Sequence, residues 1–173
     1  MKAVVTGAAG FIGSHLTESL LADGRDVIGV DAFVDYYPRA AKERNLAAAR
    51  DHRAFTLVEG SLQDMDLARV LDGATQVFHL AAQAGVRASW GQDFSVYTDN
   101  NVLATQRLLE AAVAARVPRL VYASSAFSSW IRYAPQALAA ERYSLAARAH
   151  HSGASSLSPS ARACCTSERA WFV

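Results

Sequence analysis

The stretch Thr6-Gly7-Ala8-Ala9-Gly10-Phe11-Ile12-Gly13 constrains this chain most, because it sets three glycines where a strand gives way to a helix. The apolar run Ala3-Val4-Val5 ahead of it reads as a short buried strand, and Phe11 to Leu21 behind it has helical apolar spacing. In such a turn Gly7 permits the tight bend. Gly10 lets the backbone approach a pyrophosphate, and Gly13 lets the helix pack close to the strand. The free N–H groups and the positive end of the helix dipole then face the anion. A plain glycine turn is the competing reading, and the wider context argues against it. Val27-Ile28-Gly29-Val30-Asp31 reads as a second apolar strand that ends in an acid, 18 residues beyond Gly13. A dinucleotide-binding fold places a carboxylate there, on the adenosine ribose hydroxyls.

Short apolar strands and helices alternate through residue 125. The pattern predicts strands at Lys2–Thr6, Val27–Asp31, Ala54–Glu59, Gln76–Leu80 and Arg119–Ala123. It predicts helices at Phe11–Ala22, Ala40–Arg50, Met65–Leu71 and Phe94–Ala115. That alternation implies an α/β fold, a Rossmann-type doubly wound parallel sheet of order 3-2-1-4-5, with its crevice at the carboxyl ends of strands one and four. After Ala126 the apolar blocks stop, so residues 1–126 read as the ordered domain and 127–173 as an irregular or partly helical tail.

Composition narrows the function classes. Hydrophobic content is 51% and net charge +1, which fits a soluble globular protein and gives no footprint for nucleic acid. No apolar run is long enough to span a bilayer, and the N-terminus does not resemble a signal peptide. The two cysteines, Cys164 and Cys165, are adjacent, so neither a metal site nor a disulfide framework is expected and a cytoplasmic setting fits. Lys2 and Lys42 are the only lysines.

Further segments complete the pattern: Asp31-Ala32-Phe33-Val34-Asp35-Tyr36-Tyr37, Gly60-Ser61-Leu62-Gln63-Asp64, and His79-Leu80-Ala81-Ala82-Gln83-Ala84-Gly85-Val86-Arg87. Asn100-Asn101-Val102 with Thr105, and Tyr122-Ala123-Ser124-Ser125, follow. With the glycine turn, this set resembles the extended short-chain dehydrogenase/reductases, specifically the NAD-dependent epimerase/dehydratase family acting on nucleotide sugars. Its Tyr-Tyr and Gln-Ala-Gly-Val-Arg loops look most like those of UDP-glucuronate 4-epimerases. The resemblance covers about residues 1–126.

The resemblance implies roles residue by residue. Backbone N–H groups of Phe11 and Ile12 would meet the pyrophosphate, cradled by Gly7, Gly10 and Gly13. Asp31 would take the adenosine ribose and favour NAD over NADP, because a carboxylate repels a ribose phosphate. Ser61 and Leu62 hold the adenine-contact positions, although the family usually has Asp where this chain has Ser61. Leu80, Ala81 and Ala82 would let the nicotinamide ribose approach strand four. Asn100 matches an asparagine near the cofactor, with a helix-start residue as its alternative. Arg87 and Ser89 lie in a substrate-side loop, where Arg87 either pairs with a phosphate or carboxylate of the substrate or is simply solvated. His79 reads as a packed histidine at a strand end rather than a base. No metal is implied, the substrate would be a nucleotide sugar, and a homodimer is compatible with the family.

Family chemistry uses a Tyr phenolate as base, a Lys four residues later that lowers its pKa, and a Ser or Thr on the reacting oxygen. Ser125 occupies the Ser position. Tyr133 is followed four residues on by Ala137, and Tyr143 by Ala147, so the Tyr-x-x-x-Lys pair is missing. Arginine is no replacement, because its guanidinium stays charged and has a different shape. The expectation is therefore a family member truncated after about strand five, lacking the substrate domain and inactive as written. The alternatives are a non-catalytic NAD-binding module and a non-functional fragment. The tail also has an out-of-frame reading: the codons of Ala163-Cys164-Cys165-Thr166, shifted by two bases, can be read as Leu-Leu followed by His or Tyr, resembling the family helix beyond the missing pair.

Overall fold

The computed structural model describes residues 1–85 and 93–123. Ser125, Arg87, Ser89 and the tail 127–173 lie outside the described residues. Five parallel strands form one sheet in the order β3-β2-β1-β4-β5: β1 (Lys2–Thr6), β2 (Asp26–Asp31), β3 (Phe55–Glu59), β4 (Gln76–His79) and β5 (Leu120–Tyr122). This is the expected Rossmann order. β1 is central because Ala3, Val4 and Val5 are apolar on both faces and wholly buried, as a strand covered on both sides requires.

α1 (Phe11–Ala22) closes with a turn that the sequence specifies. Gly24 adopts φ +74, and the N–H groups of Gly24 and Arg25 donate to the carbonyls of Leu21 and Leu20. This pairing satisfies the last turn of the helix and returns the chain to β2. The helix expected over Ala40–Arg50 is instead two pieces, α2 (Arg39–Asn45) and α3 (Ala47–Arg50). The break falls at Leu46, which is fully buried, while the Asn45 side chain donates to the Ala9 carbonyl at 2.9 Å. Tertiary packing bends a segment whose composition alone is uniformly helical.

α4 (Leu67–Leu71) starts two residues later than expected, because Asp66 caps it by accepting the Arg69 N–H at 3.2 Å. The long helix starting at Phe94 also differs from expectation. It runs as α5 (Phe94–Tyr97), a π-helical segment Thr98–Leu103, and α6 (Ala104–Ala114). Wide turns of this kind occur where side chains need re-aiming. Asn100 and Asn101 lie in this segment and bond Gln63 and Gln83, which follow β3 and β4. Among the described residues no helix is long and apolar enough to cross a membrane.

Candidate active site: the crevice between β1 and β4

The β1–α1 turn divides its three glycines by task. Gly7 has φ +70, and a Cβ there would lie 2.8 Å from the Ala81 nitrogen, so only glycine lets β1 turn against the end of β4. A Cβ on Gly13 would lie 2.0 Å from the Gly7 carbonyl oxygen, so Gly13 seats the helix on the turn itself. Gly10 is different. Its backbone is extended (φ −72, ψ 168), and a Cβ would meet only the Gly7 oxygen at 3.1 Å and the Tyr37 hydroxyl at 4.0 Å. Apart from these two atoms nothing lies within 4 Å of that position. No side chain caps α1 and its first turn carries no acid, so the positive end of the helix has no side-chain partner.

Asp31 ends β2 beside this turn, 7% exposed. Its Oδ2 accepts the Ala9 N–H at 3.0 Å. Its Oδ1 accepts the Phe33 N–H at 2.8 Å and the Lys42 ammonium at 3.1 Å. Lys42 is 5% exposed and lies against the rings of Tyr37 and Phe33, 5.3 and 5.6 Å from their centroids. Phe33 sits at φ +50, a conformation uncommon for a bulky residue, held by its bond to Asp31 and by the Arg39 guanidinium 4.5 Å above its ring. Arg39 is fixed in turn by Glu59 at 2.7 and 2.8 Å, and this pairing lowers the Glu59 carboxyl below its usual range. Burial, and then the Asp31 charge, push the Tyr37 phenol up. Tyr37 therefore stays protonated and donates to the Ala9 carbonyl at 3.4 Å.

The β4 side is built without charge. Thr6 and His79 face each other across the β1–β4 pairing, and Thr6 Oγ1 lies 2.7 Å from His79 Nδ1. His79 Nε2 lies 2.9 Å from Thr105 Oγ1. Burial lowers His79 to about 4, so the ring is neutral at ordinary pH. His79 is a buried packing residue with both nitrogens bonded, as its strand-end position suggests. Leu80 and Ala81 follow it, partly buried, and Ala82 is exposed.

The loops around the crevice are tied to the π-helical segment. Asn101 accepts the Gln83 N–H at 2.7 Å and donates to the Gln83 carbonyl at 3.1 Å. Asn100 accepts from the Gln63 amide at 3.2 Å. Ser61 donates to the Gln63 side-chain oxygen. A cleft of about 440 Å³ opens here, with Ser61, Gln63, Asn100 and Leu103 in its wall. Leu62 is buried with its side chain in the interior, and the cleft wall passes from Ser61 to Gln63.

The structure thus gathers Gly7, Gly10, Phe11, Ile12, Gly13 and Asp31 at one end of the crevice, and Leu80 and Ala81 beside Gly7. Ser61 and Asn100 share the flanking cleft. Lys42, Thr6 and Asn101 were not among the sequence candidates. Lys42 carried a signal, being the one lysine after Lys2 in a chain that otherwise uses arginine. Among the described residues no group of His, Cys, Asp and Glu is placed to hold a metal.

The chain matches the NAD dependent epimerase/dehydratase family over residues 3–157. It is 47% identical over 126 residues to an uncharacterised UDP-glucose epimerase, YtcB, of Bacillus subtilis (strain 168), covering 72% of this chain and 40% of that protein. It is 37% identical over 128 residues to a probable UDP-glucuronate 4-epimerase of Rhizobium meliloti (strain 1021), covering 72% and 37%. Its fold matches the crystal structure of UDP-glucuronic acid 4-epimerase from Bacillus cereus in complex with UDP-glucuronic acid and NAD. That match has a TM-score of 0.70 at 39% identity over 73% of this chain and 40% of that one. The chain spans about two fifths of the length of these relatives.

Proposed function

Since the chain belongs to the NAD-dependent epimerase/dehydratase family, we propose that its β1–β4 crevice binds NAD and forms the cofactor half of a nucleotide-sugar epimerase of the UDP-glucuronate 4-epimerase type. The observation that carries this reading is Gly10. Its bare, extended backbone opens an uncapped helix start to an anion, and the neighbouring Ala9 is bonded to Asp31. The residues fit the cofactor. The Phe11 and Ile12 N–H groups would hold its pyrophosphate, Asp31 its adenosine ribose, and the cleft wall at Ser61 and Asn100 its adenine. Bound NAD supplies a hydride acceptor and donor for a sugar carbon.

Asp31 supports selection of NAD over NADP in a specific way. Lys42 offsets much of its charge, so repulsion of a phosphate is weakened. Discrimination then rests on hydrogen bonding. Oδ1 is filled by Phe33 and Lys42, and Oδ2 has spare acceptor capacity beside the Ala9 N–H. A ribose hydroxyl can donate to that oxygen and a phosphate cannot. The missing Tyr-x-x-x-Lys pair supports a second element of the proposal: the 173-residue chain by itself holds cofactor without turning over a sugar.

Calorimetric titration of the chain with NAD and NADP, followed by incubation with NAD and UDP-glucuronate and separation of products, tests both elements. NAD should bind the more tightly, and no epimer should accumulate. NADP binding as tight as NAD would overturn the assignment of Asp31. Sustained turnover would overturn the second element.

A further inference from the structure

The uncharged network at the end of β4 determines its own hydrogen positions. Thr105 Oγ1 lies 2.7 Å from the Asn101 carbonyl, and its single proton goes there. Thr105 Oγ1 must then accept from His79, which puts the ring proton on Nε2. Nδ1 is left as an acceptor and takes the Thr6 hydroxyl proton. The Thr6 oxygen in turn accepts the Leu80 and Ala81 N–H groups, both at 3.2 Å. Every side-chain hydrogen has one place, while the Leu80 N–H is shared with the Thr6 backbone carbonyl, also at 3.2 Å. The opposite tautomer, or the cation, would donate from Nδ1 to a Thr6 oxygen that already accepts twice, and would orphan the Thr6 proton.

Building on the NAD-binding reading, we infer that His79, as its Nε2–H tautomer, is a positioning residue for the cofactor. It joins Thr6 on β1 to Thr105 on α6 and so fixes the Leu80–Ala81 backbone that walls the crevice. Two observations carry this. The relay ends on Leu80 and Ala81 and on no other backbone donors. The same two residues, just beyond β4, are what a Cβ on Gly7 would strike, at 2.8 Å from the Ala81 nitrogen and 2.9 Å from the Leu80 carbonyl carbon. There is no slack at this contact, so a small displacement of Leu80–Ala81 moves the wall against the turn. The burial that keeps His79 neutral is consistent with the same arrangement. A histidine filling space alone would need neither hydroxyl, and a valine in place of Thr105 would leave it equally well packed.

The test uses the full chain and three measurements. Nitrogen-15 NMR of the parent near neutral pH should show His79 as the Nε2–H tautomer, and NAD should perturb its resonances without changing the tautomer. Thr105→Val removes the acceptor at nearly constant shape, and Thr105→Ser restores it. Thr105→Val should bind NAD roughly three- to tenfold more weakly than the parent, and Thr105→Ser within about twofold. A Nδ1–H tautomer, a His79 resonance indifferent to NAD, or a folded Thr105→Val with parent affinity would each overturn the inference. If Thr105→Val fails to fold, the parent's resonances still decide. A parent that does not bind NAD overturns the underlying reading and this role with it. Loss confined to the variant series bears on His79 alone.

Discussion

The two sides of the crevice solve the same problem with opposite chemistry. On the β2 side a buried carboxylate, Asp31, is held by a buried ammonium, Lys42, and by two backbone N–H groups. On the β4 side a buried imidazole is held between two hydroxyls and stays neutral. Each pins the chain just beyond its strand: Ala9 and Phe33 through Asp31, Leu80 and Ala81 through Thr6. The difference shows where charge is useful. A fixed carboxylate can read a ribose hydroxyl. A cation at the β4 end would disrupt the relay and place charge where the proposed cofactor exchanges a hydride. Position in the sheet makes this division available, because β1 supplies both the glycine turn and Thr6.

The charged side should be the more sensitive to losing one partner. Lys42→Met leaves Asp31 buried with its negative charge uncompensated, and should cost about 3–5 kcal/mol of folding stability. Chemical denaturation of the parent and the variant measures this. A loss comparable to that of an exposed ion pair would mean that the Asp31–Lys42 pair is hydrated and not part of the interior.

The uncharged side should respond to acid. An ordinary histidine titrates near 6.5, and burial holds His79 to about 4. As pH falls below 6.5 the unfolded chain takes up a proton on His79 that the folded chain refuses, so stability declines between pH 6.5 and about 4 and levels off below. The full decline from this group is about 3 kcal/mol. The ionisable groups on the elements packed against it are Lys2 on β1, Tyr122 on β5, and Tyr97, Asp99, Arg107 and Glu110 on the helix, while burial alone accounts for the shift. Denaturant midpoints across this range, for the parent and for His79→Asn, isolate the contribution. Equal slopes in the two would refute it.

The smallest effect belongs to the pair with the most regular geometry. Arg39 and Glu59 meet through two short bonds, but their side chains are about half exposed. Arg39→Ala should leave the unfolding midpoint unchanged within error, since solvent and salt screen such pairs. A clear drop would show that its contact with the Phe33 ring carries weight of its own.

How much of this was legible in the sequence follows the range of the interactions. The strand order and the glycine turn were readable, because apolar runs and glycine spacing act locally. The spacing already gives Gly10 and Gly13 different tasks, and their surroundings differ: a Cβ on Gly10 meets two atoms within 4 Å, at 3.1 and 4.0 Å, whereas one on Gly13 would lie 2.0 Å from the Gly7 oxygen. The break at Leu46 and the wide turns at Thr98–Leu103 were not readable. They are imposed by partners far along the chain: Asn45 on Ala9, Asn101 on Gln83. The relay was the hardest to see, since Thr6 and His79 are 73 residues apart and each reads locally as an ordinary strand residue. Lys42 stood out only as one of two lysines, and its burial against Asp31 depends on the fold.

Gly10→Val tests the central claim most directly, read by NAD titration and thermal unfolding on the same preparation. A Cβ at Gly10 meets the Gly7 carbonyl oxygen at 3.1 Å, a tight contact relieved by a shift of a few tenths of an ångström, and otherwise only the Tyr37 hydroxyl at 4.0 Å. The variant should therefore fold, with a lowered midpoint and a transition that is still cooperative. Its branched side chain would fill the space in which a pyrophosphate must approach the helix start, and NAD binding should fall by at least about a hundredfold. A folded Gly10→Val chain that binds NAD as the parent does would contradict the assignment of this turn as the phosphate cradle, and with it the crevice as the cofactor site.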